Sequence, residues 1–148
     1  MQMSGLIRPE AIILGLAAPS KPLLFQALAK RAAALLGLPE TAILHALTRR
    51  EALGSTGIGQ GIALPHASIE GLAEPFGLLA QLKRPLAYEA IDDQSVDIVC
   101  LILNPVNGGK GPIDALACVA KCLRSHTMQA CIRNAKGPDA IRIELTKE

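Results

Sequence analysis

Apolar positions change their period along this chain, and each change predicts a different element. Residues 11–14 are a short apolar run read as a first strand, and Ser20 then stands where a helix N-cap belongs, with Pro22 in the first turn. Leu24, Ala27, Leu28 and Leu35 follow at helical spacing, which predicts a helix to about Leu36 with Gly37 as its stop. Leu38 and Pro39 open a second helix. Its apolar face is Ile43, Leu44 and Leu47, and its last turns carry Arg49, Arg50 and Glu51 ahead of Gly54.

The period then shortens. Ile62, Ala63 and Leu64 make a brief strand that Pro65 must end or place at an edge. Phe76, Leu78, Ala80 and Leu82 alternate as a half-buried strand does, while residues 96–103 are an almost unbroken apolar and β-branched run, the mark of a central strand. Asn104 and Pro105 are expected to end it. Beyond Asn107-Gly108-Gly109-Lys110-Gly111, read as a flexible loop, Ile113, Leu116, Ala120 and Leu123 mark another helix, and residues 139–145 a short terminal one. This order is neither a βαβ alternation nor an all-β pattern, so the expected class is α/β, a mixed β-sheet covered by helices, in one domain over residues 1–148.

Composition narrows the function. A chain of 148 residues, half of them apolar, suits one hydrophobic core. Its 15 Lys+Arg against 13 Asp+Glu leave a net charge of +2, and no basic cluster carries interleaved aromatics, so nucleic acid is not expected as a partner. Phe25, Phe76 and Tyr88 are its only aromatics, too few for a stacking platform. Every apolar run is broken well short of the ~18 residues of a membrane span. The run at 11–18 lacks the basic segment of an export signal, which points to a cytoplasmic protein with Cys100, Cys118, Cys122 and Cys131 as free thiols.

Chemistry concentrates in the seventeen positions from Arg50 to His66, which hold four glycines, Ser55, Thr56, an arginine and a histidine. Glycines let a loop turn successive N–H groups inward around an anion, so Ser55, Thr56, Gly57 and Gly59 are the candidate phosphate-binding residues. Nucleotide motifs fail here, because the loop follows a helix and opens a strand and has no Gly-Lys-Ser/Thr ending. No ATP, NAD or other cofactor is expected. A histidine beside an anion site suits phosphoryl transfer through the imidazole, with one ring nitrogen a free lone pair and the other fixed by a backbone carbonyl. Pro65 restrains the backbone before His66, and Arg50 offers a permanent charge to phosphoryl oxygens.

The run Arg50-Glu51-x2-Gly54-Ser55-Thr56-Gly57-Ile58-Gly59-x-Gly61-Ile62-Ala63-Leu64-Pro65-His66 closely resembles the active-site signature of enzyme IIA proteins of the bacterial phosphotransferase system, fructose/mannitol type, and its wording is most like the nitrogen-regulatory branch. Ser20-Lys21, the stretch 90–97 and Pro105 extend the resemblance over nearly the whole chain. It implies a mixed sheet with helices on both faces, a phosphocarrier accepting phosphate on His66 from a histidine-containing phosphocarrier protein, Arg50 as the active-site arginine, and regulatory target proteins downstream. No permease segment accompanies the domain, which favours a regulatory over a sugar-transport role. One position departs: where the family commonly places a second histidine, this chain has Pro112. An interaction module that has lost phosphotransfer is therefore the alternative.

Blander roles stand beside these. Arg49 and Arg50 also complement a helix C-terminus. Cys118, Cys122 and His126 fall at i, i+4 and i+8, one helical face, but successive turns are too far apart for three ligands to meet one ion readily, and no metal is assigned. His45 reads as a helix-boundary residue, with a second active-site group as the alternative.

Overall fold

The computed structural model describes residues 2–107 and 111–147, with side chains for all of these except 111–114. The chain opens with one helical turn, α1 (Met3–Leu6), and a 3-10 turn, Pro9–Ala11, before β1 (Ile12–Leu16). The Ser20 hydroxyl accepts the Leu23 amide at 3.3 Å and starts α2 (Lys21–Leu36), which Gly37 ends in the left-handed conformation at φ 69°. Next come α3 (Glu40–Ala52), β2 (Gly57–Gly59), β3 (Ile62–Ala63), β4 (His66–Ile69), β5 (Phe76–Leu86), β6 (Val96–Pro105), α4 (Gly111–Leu123), α5 (His126–Asn134) and α6 (Pro138–Leu145).

The strands form one mixed sheet in the order β1-β5-β6-β3-β2, with β4 also beside β6. β5 and β6 run antiparallel; β1 lies parallel to β5, and β3 and β4 parallel to β6. Helices cover both faces. Val99, Leu101 and Leu103 of β6 point toward α2 and α3, whereas Ile98, Cys100 and Ile102 point toward α1, α4, α5 and α6. That double burial explains the unbroken apolar run at 96–103.

β3 and β4 are two pieces of one path along β6. Ile62 lies opposite Ile98 and His66 opposite Ile102, so the offset between the strands is unchanged across Leu64 and Pro65. Pro65 gives its carbonyl to Ile102 N–H at 2.9 Å but has no N–H to return, and the ladder breaks there. His66 thus inherits its register from the most buried strand.

Four expectations change. The glycine loop contains a short strand, β2, paired to β3. His66 begins a strand, β4, whose His-Ala-Ser-Ile sequence carries no apolar period. Asn104 and Pro105 do not end β6 but belong to it, because they pair with Ser68 and Ile69. The helix holding Cys118 and Cys122 stops at Leu123, and His126 starts a separate helix capped by Ser125, whose hydroxyl accepts Met128 N–H at 3.2 Å. The three residues therefore share no helical face. Of the loop at 107–111, residues 108–110 lie outside the described residues.

Removing the Ser125 cap tests that break directly. Ser125→Ala is expected to cost about 1 kcal/mol in urea unfolding; an uninterrupted helix through 118–126 would show no such loss.

Candidate active site

The last turn of α3 fixes the first half of the site. Arg50 is half-buried and its guanidinium donates to the Gly54 carbonyl at 3.0 Å, two residues past the end of the helix. Arg49 beside it is exposed. Glu51 turns the other way. Its carboxylate pairs with Lys21 at 2.9 Å and accepts the Thr56 N–H at 3.0 Å and the Thr56 hydroxyl at 2.6 Å. Tyr88 OH completes the cluster, 2.8 Å from the Thr56 hydroxyl and 3.3 Å from Glu51, and Lys21 Nζ sits 4.2 Å from the Tyr88 ring centre. Since the Thr56 proton goes to the carboxylate, the Tyr88 hydroxyl is a donor, its proton shared between the Thr56 oxygen and Glu51.

From Thr56 the order passes along the backbone to His66. The Thr56 carbonyl accepts Leu64 N–H at 2.9 Å, and the Leu64 carbonyl lies 2.8 Å from His66 Nδ1. A carbonyl can only accept, so Nδ1 carries a proton, and in the neutral ring the lone pair is on Nε2. The Leu64 carbonyl is open to the ring because β2 pairs only as far as Gly57 opposite Ala63, leaving the sheet edge beyond unpaired by β2.

His66, half-buried, opens onto a cleft around the free edge of β4. Ala46, Arg49 and Arg50 of α3, with Leu53 just past its end, form one wall; Ala67, Ser68, Asn104 and Leu116 form the rest. Among the described residues, two guanidinium groups line it and no carboxylate does. The structure thus brings together His66 and Arg50, as the sequence predicts.

The other predicted positions lie elsewhere. Ser55, Thr56, Gly57 and Gly59 do not line this cleft. Ser55 Oγ donates to the Tyr88 carbonyl at 3.3 Å and accepts Gly57 N–H at 3.1 Å, while Thr56 is buried on Glu51. A Cβ on Gly57 would stand 2.7 Å from Ala90 Cβ, and Gly59, at φ 97°, lies against Asp92. These glycines let the loop press against residues 88–92. His45 is exposed on α3 and does not line the cleft, and the side chain of Pro112 lies outside the described residues. Sequence reasoning assigned no role to Asn104, Ser68, Lys21 or Tyr88; a polar residue closing the apolar run of β6 was the one available signal.

Residues 5–148 match the family model for the phosphoenolpyruvate-dependent sugar phosphotransferase system, EIIA 2. The chain belongs to this family. It is 40% identical over 141 residues to a nitrogen regulatory protein of Bradyrhizobium diazoefficiens, across 95% of this chain and 92% of that one. Among solved structures, nitrogen regulatory protein IIA-Ntr from Neisseria meningitidis has the same fold, with a TM-score of 0.90 at 24% identity, covering 97% of this chain and 99% of that one. Enzyme IIA for mannitol from Escherichia coli, solved in complex with phosphorylated enzyme IIB, gives 0.79 at 16% identity, over 97% and 100%. No helix among the described residues of this EIIA chain is long and apolar enough to cross a membrane.

Charge inside the EIIA loop is balanced locally. Burial pushes the Glu51 carboxyl up, but hydrogen bonds from Thr56 and Lys21, with the Lys21 charge, together outweigh it and hold the group below its ordinary 4.5. Burial, with the Glu51 charge adding to it, pushes the Tyr88 phenol up, so it stays a donor.

A carboxyl with a lowered folded pKa contributes stability that is complete at neutral pH and is lost as pH falls from the ordinary value through the folded one. Glu51→Gln is therefore expected to lose roughly 2–3 kcal/mol at pH 7 and to flatten the decline in stability between pH 7 and pH 3. Urea midpoints across that range measure both effects, and parallel curves for variant and parent would contradict the assignment.

Proposed function

We propose that this EIIA chain is a phosphocarrier whose His66 Nε2 accepts a phosphoryl group from a histidine-containing phosphocarrier protein. The supporting observation is the 2.8 Å contact between His66 Nδ1 and the Leu64 carbonyl, which selects, for the neutral ring, the tautomer with the lone pair on the outer nitrogen. In the transfer the donor's P–N bond breaks, its imidazole leaves with the electron pair, and the Nε2–P bond forms. The proton on Nδ1 stays in place, so the step is balanced without nucleotide or metal. Arg50, held by Gly54, and Arg49 face the oxygens whose negative charge is spread over the moving group. Leu53, 84% exposed at the rim, offers a docking partner an apolar contact.

A regulatory role of the nitrogen type is the reading favoured over sugar transport, on the likeness over nearly the full length to nitrogen regulatory proteins. In this role the phosphorylation state of His66 sets the binding of regulatory target proteins. The mannitol enzyme IIA meets a phosphorylated protein partner, and the exposed cleft of this chain is open to a partner of the same kind. We place the chain in the cytoplasm.

Incubation with phosphoenolpyruvate, enzyme I and the phosphocarrier protein, read by intact mass, tests the proposal. His66→Ala is expected to abolish an acid-labile phosphorylation, and retained labelling would overturn the assignment. Arg50→Ala is expected to leave the thermal midpoint nearly unchanged while slowing phosphorylation by about 2–4 kcal/mol in barrier height. An unchanged rate would remove Arg50 from the reaction.

A further inference from the structure

We propose that the Asn104 carboxamide is a phosphoryl-oxygen donor in the His66 cleft. This rests on the phosphocarrier reading of His66. Asn104 is 4% exposed, yet its Oδ1 has no hydrogen-bond partner among the described residues. The orphan is the acceptor atom, which an anion does not complete; the donor end of the same amide, Nδ2–H, is not among the buried unpaired atoms and is the end left for the cleft. Its place in the sheet says what that donor meets. Asn104 lies opposite Ser68, and His66 opposite Ile102, so His66, Ser68 and Asn104 all emerge on one face of the sheet. The spacing of parallel strands puts Asn104 about 8 Å from His66, Cα to Cα, a gap that a phosphoryl group on the outer imidazole nitrogen spans. Arg49 and Arg50 line the same cleft with Asn104, so the charge there suits an anion.

With its Oδ1 turned inward, the amide presents Nδ2–H to the cleft, a neutral donor complementing the two guanidinium groups. The same atoms serve both directions of transfer: the P–N bond forms at His66 Nε2 on acceptance and breaks on donation, and Asn104 loses or gains no proton. In a chain with Pro112 at the family's second-histidine position, Asn104 supplies a donor from the sheet instead of from α4.

The test compares parent, Asn104→Leu and Asn104→Asp. With phosphoenolpyruvate, enzyme I and phosphocarrier protein, both variants are expected to phosphorylate on the order of tenfold or more slowly, while the Leu variant unfolds at the parent's temperature or above, since it carries no unpaired amide. In the parent, the Asn104 side-chain amide resonance is expected to shift on phosphorylation and to stay fixed in His66→Ala, a readout that needs no Asn104 variant to fold. Parent rates in both variants, or an unmoved amide resonance in phosphorylated parent, would overturn the role of Asn104 and leave the phosphocarrier reading standing. A parent that takes no label would overturn both.

Discussion

The Glu51 carboxylate holds three separated pieces of chain at one point: Lys21 at the start of α2, Thr56 in the glycine loop and Tyr88 beyond β5. Those partners lie 30, 5 and 37 residues away in sequence. Without the carboxylate the Thr56 N–H and the Lys21 ammonium would lose a shared acceptor in a largely dry setting, at a cost of several kcal/mol. The consequence reaches the site through three hydrogen bonds in series, from Glu51 to Thr56, from Thr56 to Leu64 and from Leu64 to His66. Arg50 is the neighbour of Glu51 on α3. The same anchor therefore fixes the helix turn that carries the guanidinium and the carbonyl that orients the imidazole.

Electrostatics follow from which way each side chain of that turn points. The C-terminus of α3 carries roughly half a negative charge from its peptide dipoles, which by itself would repel an anion. Arg49 and Arg50 set two full charges against it, while Glu51 faces Lys21 on the other side of the loop. Had Glu51 faced the cleft, it would have cancelled one guanidinium. The positive cleft thus depends on the carboxylate being engaged away from it.

Much of this was legible in the sequence where the signal is local. The cap at Ser20, the stop at Gly37 and the amphipathic faces of α2 and α3 are decided by residues within a turn of each other, and the structure keeps them. So is the restraint of the His66 ring by a backbone carbonyl, two residues back. The phosphate-cradle expectation for Ser55, Thr56, Gly57 and Gly59 did not anticipate where the loop packs, because glycine density marks close approach without saying to what. Here the neighbour is the 88–92 segment, more than thirty residues on. β4 was invisible for a similar reason: His-Ala-Ser-Ile is a strand only because β6 pairs with it. The α4–α5 break was masked by a spacing of cysteines and histidine that fits one helix as well as two.

That strand assignment changes what kind of residue His66 is. A nucleophile on a glycine loop would have to be ordered by its partner at each encounter, losing backbone freedom worth about 1–2 kcal/mol per residue. On β4, His66 shares a fixed offset with β6, whose buried side chains are packed from both faces. The ordering is already complete in the chain by itself, and groups placed on regular elements hold their geometry more closely than groups on loops. Pro65 reconciles the two demands at that point. By interrupting the ladder it ends β3 while keeping the path along β6, and the strand that resumes there begins at His66, with its face open to the cleft.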